Sequence, residues 1–172
     1  QDNCYSDYSL RKGDPDGVFS RAAKVFEDEV STGYQEHIYM EPQGVVGTWE
    51  EGKITVYFSG QCPFYVRHAV STTLGISEED VRVQQTITGG AFGGKEHYPD
   101  VISTPIAVAA YKLKKPVQLI LDRIEDISYT PKRHPSVAFF RTALDEEGNI
   151  LGMEIDSRTN AGAYETCSMV VL

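Results

Sequence analysis

From Thr88 to Glu96 the chain reads T-G-G-A-F-G-G-K-E, with Gly89, Gly90, Gly93 and Gly94 surrounding a single phenylalanine, Phe92. Glycine adopts positive φ without a Cβ clash and leaves backbone N–H groups open to close approach by an anion or an oxo group. The run is therefore a loop built to grip a ligand, or else a plain glycine-rich turn between a strand and a helix.

Two phosphate motifs can be tested against it. The dinucleotide fingerprint G-x-G-x-x-G fails, because the loop reads G-G-x-x-G-G. The Walker pattern G-x-x-x-x-G-K is met from Gly89 to Lys95, but Glu96 stands where a Ser or Thr hydroxyl would hold magnesium. A carboxylate there repels phosphates, which argues against ATP.

With 172 residues and 41% hydrophobic content, the chain is long enough for one globular domain with its own core. A net charge of −9 leaves no basic stripe for nucleic acid. No apolar run approaches the ~18 residues that span a bilayer, and no signal segment opens the chain. Cys4, Cys62 and Cys167 are odd in number and lack C-x-x-C spacing, so neither a disulfide framework nor a zinc site is expected. A reducing cytoplasm is the natural compartment. His37, His68, His97 and His134 are too widely spaced for a local metal site, and structural roles are expected of them.

Turn residues 11–16 precede an expected short helix over 17–23 and a strand over 24–34. A hairpin is expected over 45–49 and 54–58. Pro63 opens a helix in which Phe64, Arg67, Val70 and Leu74 recur at helical spacing, and Gly75 closes it. Val81, Val83 and Ile87 alternate as a strand leading into the glycine loop. Beyond the loop, 101–114 reads as a buried helix with a cationic end at Lys112, Lys114 and Lys115, 117–121 as an interior strand, and 137–144 with 150–157 as a second hairpin. Strands and helices mixed with hairpins give an α+β class, with mixed sheets and packed helices.

The segment Gly33-Tyr34-Gln35-Glu36-His37-Ile38-Tyr39-Met40-Glu41-Pro42 precedes the glycine loop, with Val66-Arg67, Leu74-Gly75-Ile76 and Val81-Arg82-Val83 between them. As a set these resemble the molybdopterin-binding subunit of the xanthine dehydrogenase and aldehyde oxidase family, from about Gly13 to the end of the chain. In that family the molybdenum subunit is several times this length. The resemblance therefore implies a linker over 1–14 and, over 15–172, the first portion of a molybdenum-cofactor domain that continues past the apolar end at Met169-Val170-Val171-Leu172.

The resemblance also implies roles. Gln35 matches a glutamine that hydrogen-bonds an oxygen ligand of molybdenum, a task suited to a donor that does not ionise. Without the resemblance Gln35 reads as a surface or edge-strand glutamine. Phe92 and Gly93 match loop positions beside the metal, Gly93 presenting its N–H to an oxo group; Phe92 reads equally as an aromatic pinned into the core. Ala91 stands where the family commonly has a third glycine, which questions a positive φ there. No residue here ligates the metal directly.

Glu96 matches a glutamate that faces the purine in the xanthine dehydrogenase branch and that aldehyde-oxidising relatives usually lack; otherwise it is a solvated carboxylate near a helix start. Lys95 is open between a phosphate contact and a surface cation, and Arg133 and Asn160 have no assigned role.

The activity so implied is water-derived hydroxylation of a purine or related N-heteroaromatic, with hydride transfer to the molybdenum centre and electrons leaving through iron–sulfur clusters to FAD in partner subunits or domains of an oligomeric enzyme. The cofactor is molybdopterin, its cytosine dinucleotide form included. The catalytic base is expected beyond Leu172, so the fragment alone is expected to be inactive. The alternatives are an aldehyde oxidoreductase of the same family and a noncatalytic glycine-loop binding module.

Overall fold

The computed structural model describes residues 3–164 and 166–171. Residues 1 and 2 of the expected linker, and Leu172 of the apolar end, lie outside the described residues. The chain divides into two compact units, residues 1–35 with 134–172 and residues 36–133. Two sheets and five helices make it a mixed α+β chain among the described residues.

The unit formed by residues 36–133 carries the glycine loop. Strands β2 (Gly44–Glu50) and β3 (Lys53–Phe58) form the expected hairpin. Its two-residue turn has Glu51 at φ 49° and Gly52 at φ 84°, the positive-φ pair that matches strand twist in tight hairpins. Helix α2 (Pro63–Leu74) then crosses to β4 (Val81–Gln85), which pairs parallel with β3. Helix α2 ends as its glycine promised: Gly75 sits at φ 66° and donates to Thr72 while Ile76 donates to Ser71, a Schellman closure. After the loop come α3 (Tyr98–Leu113), β5 (Val117–Ile120) and α4 (Arg123–Tyr129).

Alternation decides which face of this sheet is buried. Ile54, Val56 and Phe58 of β3 point inward at 0–1% exposure and meet Val66 and Val70 of α2 and Ile102, Ala107 and Ala110 of α3. Each large apolar side chain so buried contributes about 1.5–3 kcal/mol. Helix α3 lies close on β2 because Gly47 has no side chain: a Cβ there would stand 3.2 Å from Ile106 Cγ2 and 3.3 Å from its carbonyl oxygen. Pro105 interrupts the α3 ladder, and the Thr104 hydroxyl donates to the Val101 carbonyl, whose usual partner in the ladder would be the N–H that proline lacks.

Several expectations need correction. The strand expected inside a sheet, β5, lies at an edge in the order β4-β3-β2-β5, antiparallel to β2 alone, with Ile120 63% exposed. Ile87 falls beyond the end of β4 and is fully turned to solvent. In α2 the buried stripe is Val66, Val70 and Ser71, and Phe64 is exposed. Helix α3 is buried on one side only, with Val101 and Leu113 outside. Its cationic end is real, and Lys114 terminates it in the left-handed region with Nζ over the rings of Trp49 and Tyr111.

In the other unit, β1 (Lys24–Thr32), β6 (Ser136–Leu144) and β7 (Ile150–Thr159) form an antiparallel sheet in the order β1-β6-β7. Helix α1 begins at Pro15 and ends at Arg21, two residues earlier at each end than expected, with Asp14 capping Gly17. Gly152 admits Val18, since a Cβ there would stand 2.8 Å from Val18 Cγ1. The β6–β7 turn is held by Asp145, whose carboxylate accepts from the Asn149 N–H and side-chain amide at 2.7 and 2.8 Å. A short helix, α5 (Ser168–Val171), follows.

Candidate functional site

The glycine loop lies between β4 and α3, and the segment 37–43 packs beneath it. Its glycines are explained by that packing. A Cβ on Gly89 would stand 2.6 Å from Glu41 Cβ, and one on Gly94 would stand 2.8 Å from the His37 ring and from Tyr39 Cε1. Gly90 and Gly93 answer a different need, with φ at 94° and 92°. Ala91 is not among the positive-φ residues, so alanine in the third place is compatible with the loop.

Phe92 takes φ 53° and is 75% exposed, which corrects the expectation of an aromatic pinned into the core. The sign of φ alternates from Gly90 through Ala91 to Phe92, the pattern that gathers successive N–H groups into a concave anion nest. Among the described residues, the N–H groups of Gly90, Ala91 and Phe92 donate to no protein acceptor.

The N–H groups of Gly89, Gly93 and Gly94 are tied down. Gly89 N–H donates to Glu41 Oε2 at 2.7 Å, and Glu41 N–H donates back to the Gly89 carbonyl at 3.1 Å. Gly94 N–H donates to the Ala91 carbonyl at 2.8 Å, and Gln43 Nε2 donates to the Gly94 carbonyl at 2.9 Å. Gly93 N–H donates to the side-chain oxygen of Gln61 at 3.0 Å, while Gln61 N–H donates to the Lys95 carbonyl at 2.9 Å.

Lys95 is neither a surface cation nor a free donor for phosphate. It is 0% exposed, with Nζ 3.0 Å from Glu41 Oε2, 3.0 Å from Ser59 Oγ and 4.7 Å from the centre of the Tyr39 ring. Glu41 Oε2 also accepts from the Ser59 hydroxyl. Burial pushes the Glu41 carboxyl up, but hydrogen bonds from Ser59, Gly89 and Lys95 outweigh it and hold the group below its ordinary value. The Glu41 side chain is 41% exposed, so solvent screens this pair more than a fully buried one.

A second network supports the same segment. Asp126 on α4 is fully buried and accepts from the Tyr39 hydroxyl at 3.1 Å and from Gln43 N–H at 3.0 Å. Burial, more than any other influence, pushes the Tyr39 hydroxyl up to about 12, so it remains a donor at physiological pH. Burial likewise lowers His37, which is neutral above its shifted value. The sequence reading missed α4, although Asp122 and Glu125 form a reciprocal capping box that its D-x-x-E spacing announces.

Phe92, Gly93 and Glu96 are thus brought together on one loop. Glu96 is half-buried just before α3, and its charge, after burial, raises the Cys62 thiol. Gln35 belongs to the other unit, where it is exposed. The amide placed against Gly93 is Gln61, which sequence reasoning passed over; its signal was a glutamine in the short turn between β3 and α2. Asn160 closes a turn by accepting from Gly162 N–H at 2.9 Å, and its own N–H donates to Pro135. No cluster of three or more His, Cys, Asp or Glu suited to a metal ion occurs among the described residues.

The loop fits an oxygen-rich anionic group better than a bare metal ion. Its free donors are backbone N–H groups, Gln61 adds an amide beside them, and no carboxylate or imidazole cluster competes.

The family model described as "Molybdopterin cofactor-binding domain" matches residues 1–172. The chain is 37% identical over 164 residues to a xanthine dehydrogenase of Dictyostelium discoideum, covering 95% of this chain and 12% of that protein. It is 36% identical over 165 residues to aldehyde oxidase 1 of Bos taurus, again covering 95% of this chain and 12% of that protein. Among solved structures, quinoline 2-oxidoreductase from Pseudomonas putida 86 superposes with a TM-score of 0.76 at 27% identity, covering 87% of this chain and 19% of that one. The aldehyde oxidoreductase of Desulfovibrio gigas shares the fold, with a TM-score of 0.74 at 23% identity over 86% of this chain and 16% of that one. The chain therefore spans only about an eighth of the curated relatives it matches.

Proposed function

This chain belongs to the molybdopterin cofactor-binding domain family, and from that premise we propose that it forms part of a xanthine dehydrogenase-like hydroxylase acting on a purine or related N-heteroaromatic. The observation that carries the reading is the glycine loop itself: unpaired N–H groups at Gly90, Ala91 and Phe92, the Gly93–Gln61 pair, and a half-buried carboxylate at Glu96. When bound, the molybdenum cofactor supplies the two-electron chemistry by which oxygen from water replaces hydrogen on an electron-poor carbon.

The chain's own residues bind and orient. Gly93 N–H, expected from sequence to meet an oxygen of the cofactor, is held by the Gln61 oxygen, so the neutral donors free to meet that oxygen are the Gln61 NH2 and the N–H groups of Gly90, Ala91 and Phe92, which stabilise charge without titrating. Gln61 accepts from Gly93 through its oxygen, which leaves its NH2 free to donate. Gln35, the amide expected from sequence, remains a second candidate for that contact. Phe92, exposed on the loop, offers an apolar ring beside the approach to the cofactor. Glu96 selects the substrate: a carboxylate accepts from ring N–H groups or, protonated, donates to ring nitrogen, and it has no such partner in an alkyl aldehyde.

Residues 15–172 form the first portion of the cofactor domain in this reading, behind a linker over 1–14. The general base comes from residues beyond Leu172, and the fragment alone does not turn over. Iron–sulfur clusters and FAD in partner domains or subunits of an oligomeric enzyme carry the electrons away, in the cytoplasm, with molybdopterin or its cytosine dinucleotide form as cofactor. No helix among the described residues is long and apolar enough to cross a membrane.

The second reading, an aldehyde oxidoreductase, is favoured by the equally close match to the bovine aldehyde oxidase at 36% identity. Xanthine-dependent dye reduction by the intact parent enzyme, with its molybdenum content confirmed, separates the two. Activity is the expected result. A molybdenum-loaded enzyme that ignores xanthine and oxidises aldehydes overturns the purine assignment.

A further inference from the structure

We infer that Glu41 is a positioning residue whose carboxylate, with Lys95 and Ser59, sets where the backbone donors of the glycine loop stand relative to the molybdenum cofactor. The inference rests on the reading of the loop proposed above.

One oxygen, Glu41 Oε2, gathers the two ends of the loop. It accepts from Gly89 N–H at 2.7 Å and from Lys95 Nζ at 3.0 Å, and the Ser59 hydroxyl donates to it as well. The Glu41 N–H fixes the Gly89 carbonyl at 3.1 Å, so the first residue of the loop is gripped from both sides. Between these anchors lie the N–H groups of Gly90, Ala91 and Phe92 that meet no protein acceptor.

A shift of Lys95 is passed on. Its carbonyl accepts from Gln61 N–H at 2.9 Å, and the Gln61 side chain accepts from Gly93 N–H at 3.0 Å. Lys95 is wholly buried, so without the Glu41 charge its ammonium must move or draw in water, and a movement of the side chain is carried to the backbone it is attached to. Glu41, Ser59 and Lys95 stand outside the apolar cluster formed by β2, β3, β4, α2 and α3.

The test uses the intact molybdenum-loaded enzyme and two variants, Glu41→Gln, which keeps an oxygen acceptor but drops the charge, and Glu41→Gln with Lys95→Met, which leaves no stranded ammonium if the single variant fails to fold. The readouts, neither of which depends on the substrate, are the molybdenum(V) paramagnetic resonance signal after dithionite reduction and the rate of cofactor loss on dialysis. The expected result is an altered signal in both variants and cofactor loss at least tenfold faster than wild type, a size typical of changes to groups that orient a metal site. A wild-type signal and wild-type retention, even with a lowered melting temperature, overturn the inference.

Gly93→Ala separates this failure from failure of the loop reading. If Gly93→Ala alters the signal while the Glu41 variants do not, only the positioning role falls. If none of the three alters it, the loop does not face the cofactor.

Discussion

Gln61 and Gly93 are joined at 3.0 Å, the side-chain oxygen of the first accepting from the backbone N–H of the second. Gln61 sits in the turn before α2, and its own N–H is fixed by the Lys95 carbonyl. A side chain held at both ends in this way presents its NH2 in one direction. That makes Gln61 an amide prepared to meet a ligand at the loop.

Gln61→Ala in the intact enzyme is expected to lower kcat at least tenfold with molybdenum content retained, the scale of changes to groups that orient metal sites. Gln35→Ala, measured beside it, tests the amide expected from sequence, for which a loss of about tenfold or more is likewise expected. A larger loss from Gln35→Ala returns the oxygen contact to that residue, and no loss from either supports the noncatalytic module.

Glu96→Ala is expected to reduce kcat/KM for xanthine at least tenfold while changing kcat/KM for an aldehyde less than threefold, because only the heterocycle offers ring N–H and ring nitrogen to the carboxylate. Equal losses on both substrates would make Glu96 a structural group at the approach to α3 and remove it from substrate choice.

Gly94→Ala is expected to destabilise the protein by about 1–3 kcal/mol, since the new Cβ would meet the His37 ring and Tyr39, groups fixed by burial. A Cβ at Gly33 would meet nothing within 4 Å, so Gly33→Ala serves as the control and should lie within about 0.5 kcal/mol of wild type. Denaturation midpoints of the two variants, compared with the parent, decide it.

His37 is held below its ordinary value of 6.5, chiefly by burial. A depressed folded-state value means that the unfolded chain binds the proton more readily. The neutral ring's contribution is complete above pH 6.5 and falls away as pH drops through the lower folded-state value. His37→Gln, which does not titrate, should flatten the fall in thermal midpoint on the acid side of pH 6.5. A variant as pH-sensitive as the parent there would mean that other groups carry the effect.

Elements with strong local signals were readable in order along the chain. Helix α2 could be placed from Pro63 and Gly75 because a missing N–H and a left-handed cap are properties of single residues. The β2–β3 hairpin followed from its turn, and the second hairpin from Asp145 and Gly148-Asn149. Position within a sheet was not readable. The run 117–120 looks the same to local pattern whether it has one neighbour or two, and the structure gives it β2 alone. Phe64 and Ile87 fit their periods but face solvent, since a period says which residues share a face and not which face is covered.

At the site, glycine spacing was enough to mark residues 88–96 as a loop with special backbone demands, because φ > 0 and an absent Cβ are demands that the residue types answer directly. Which side chains stand around it was decided by folding. Gln61, Glu41 and Gln43 lie between 32 and 54 residues away in sequence from the loop residues they hold. The parallel pairing of β3 with β4 and the packing of α3 on β2 are what bring them there. Lys95 shows the difference most directly. Its charge is a fact of sequence, whereas its burial against Glu41, Ser59 and Tyr39, which turns a solvated cation into a structural pin, exists only because tertiary contacts exclude water from one lysine side chain.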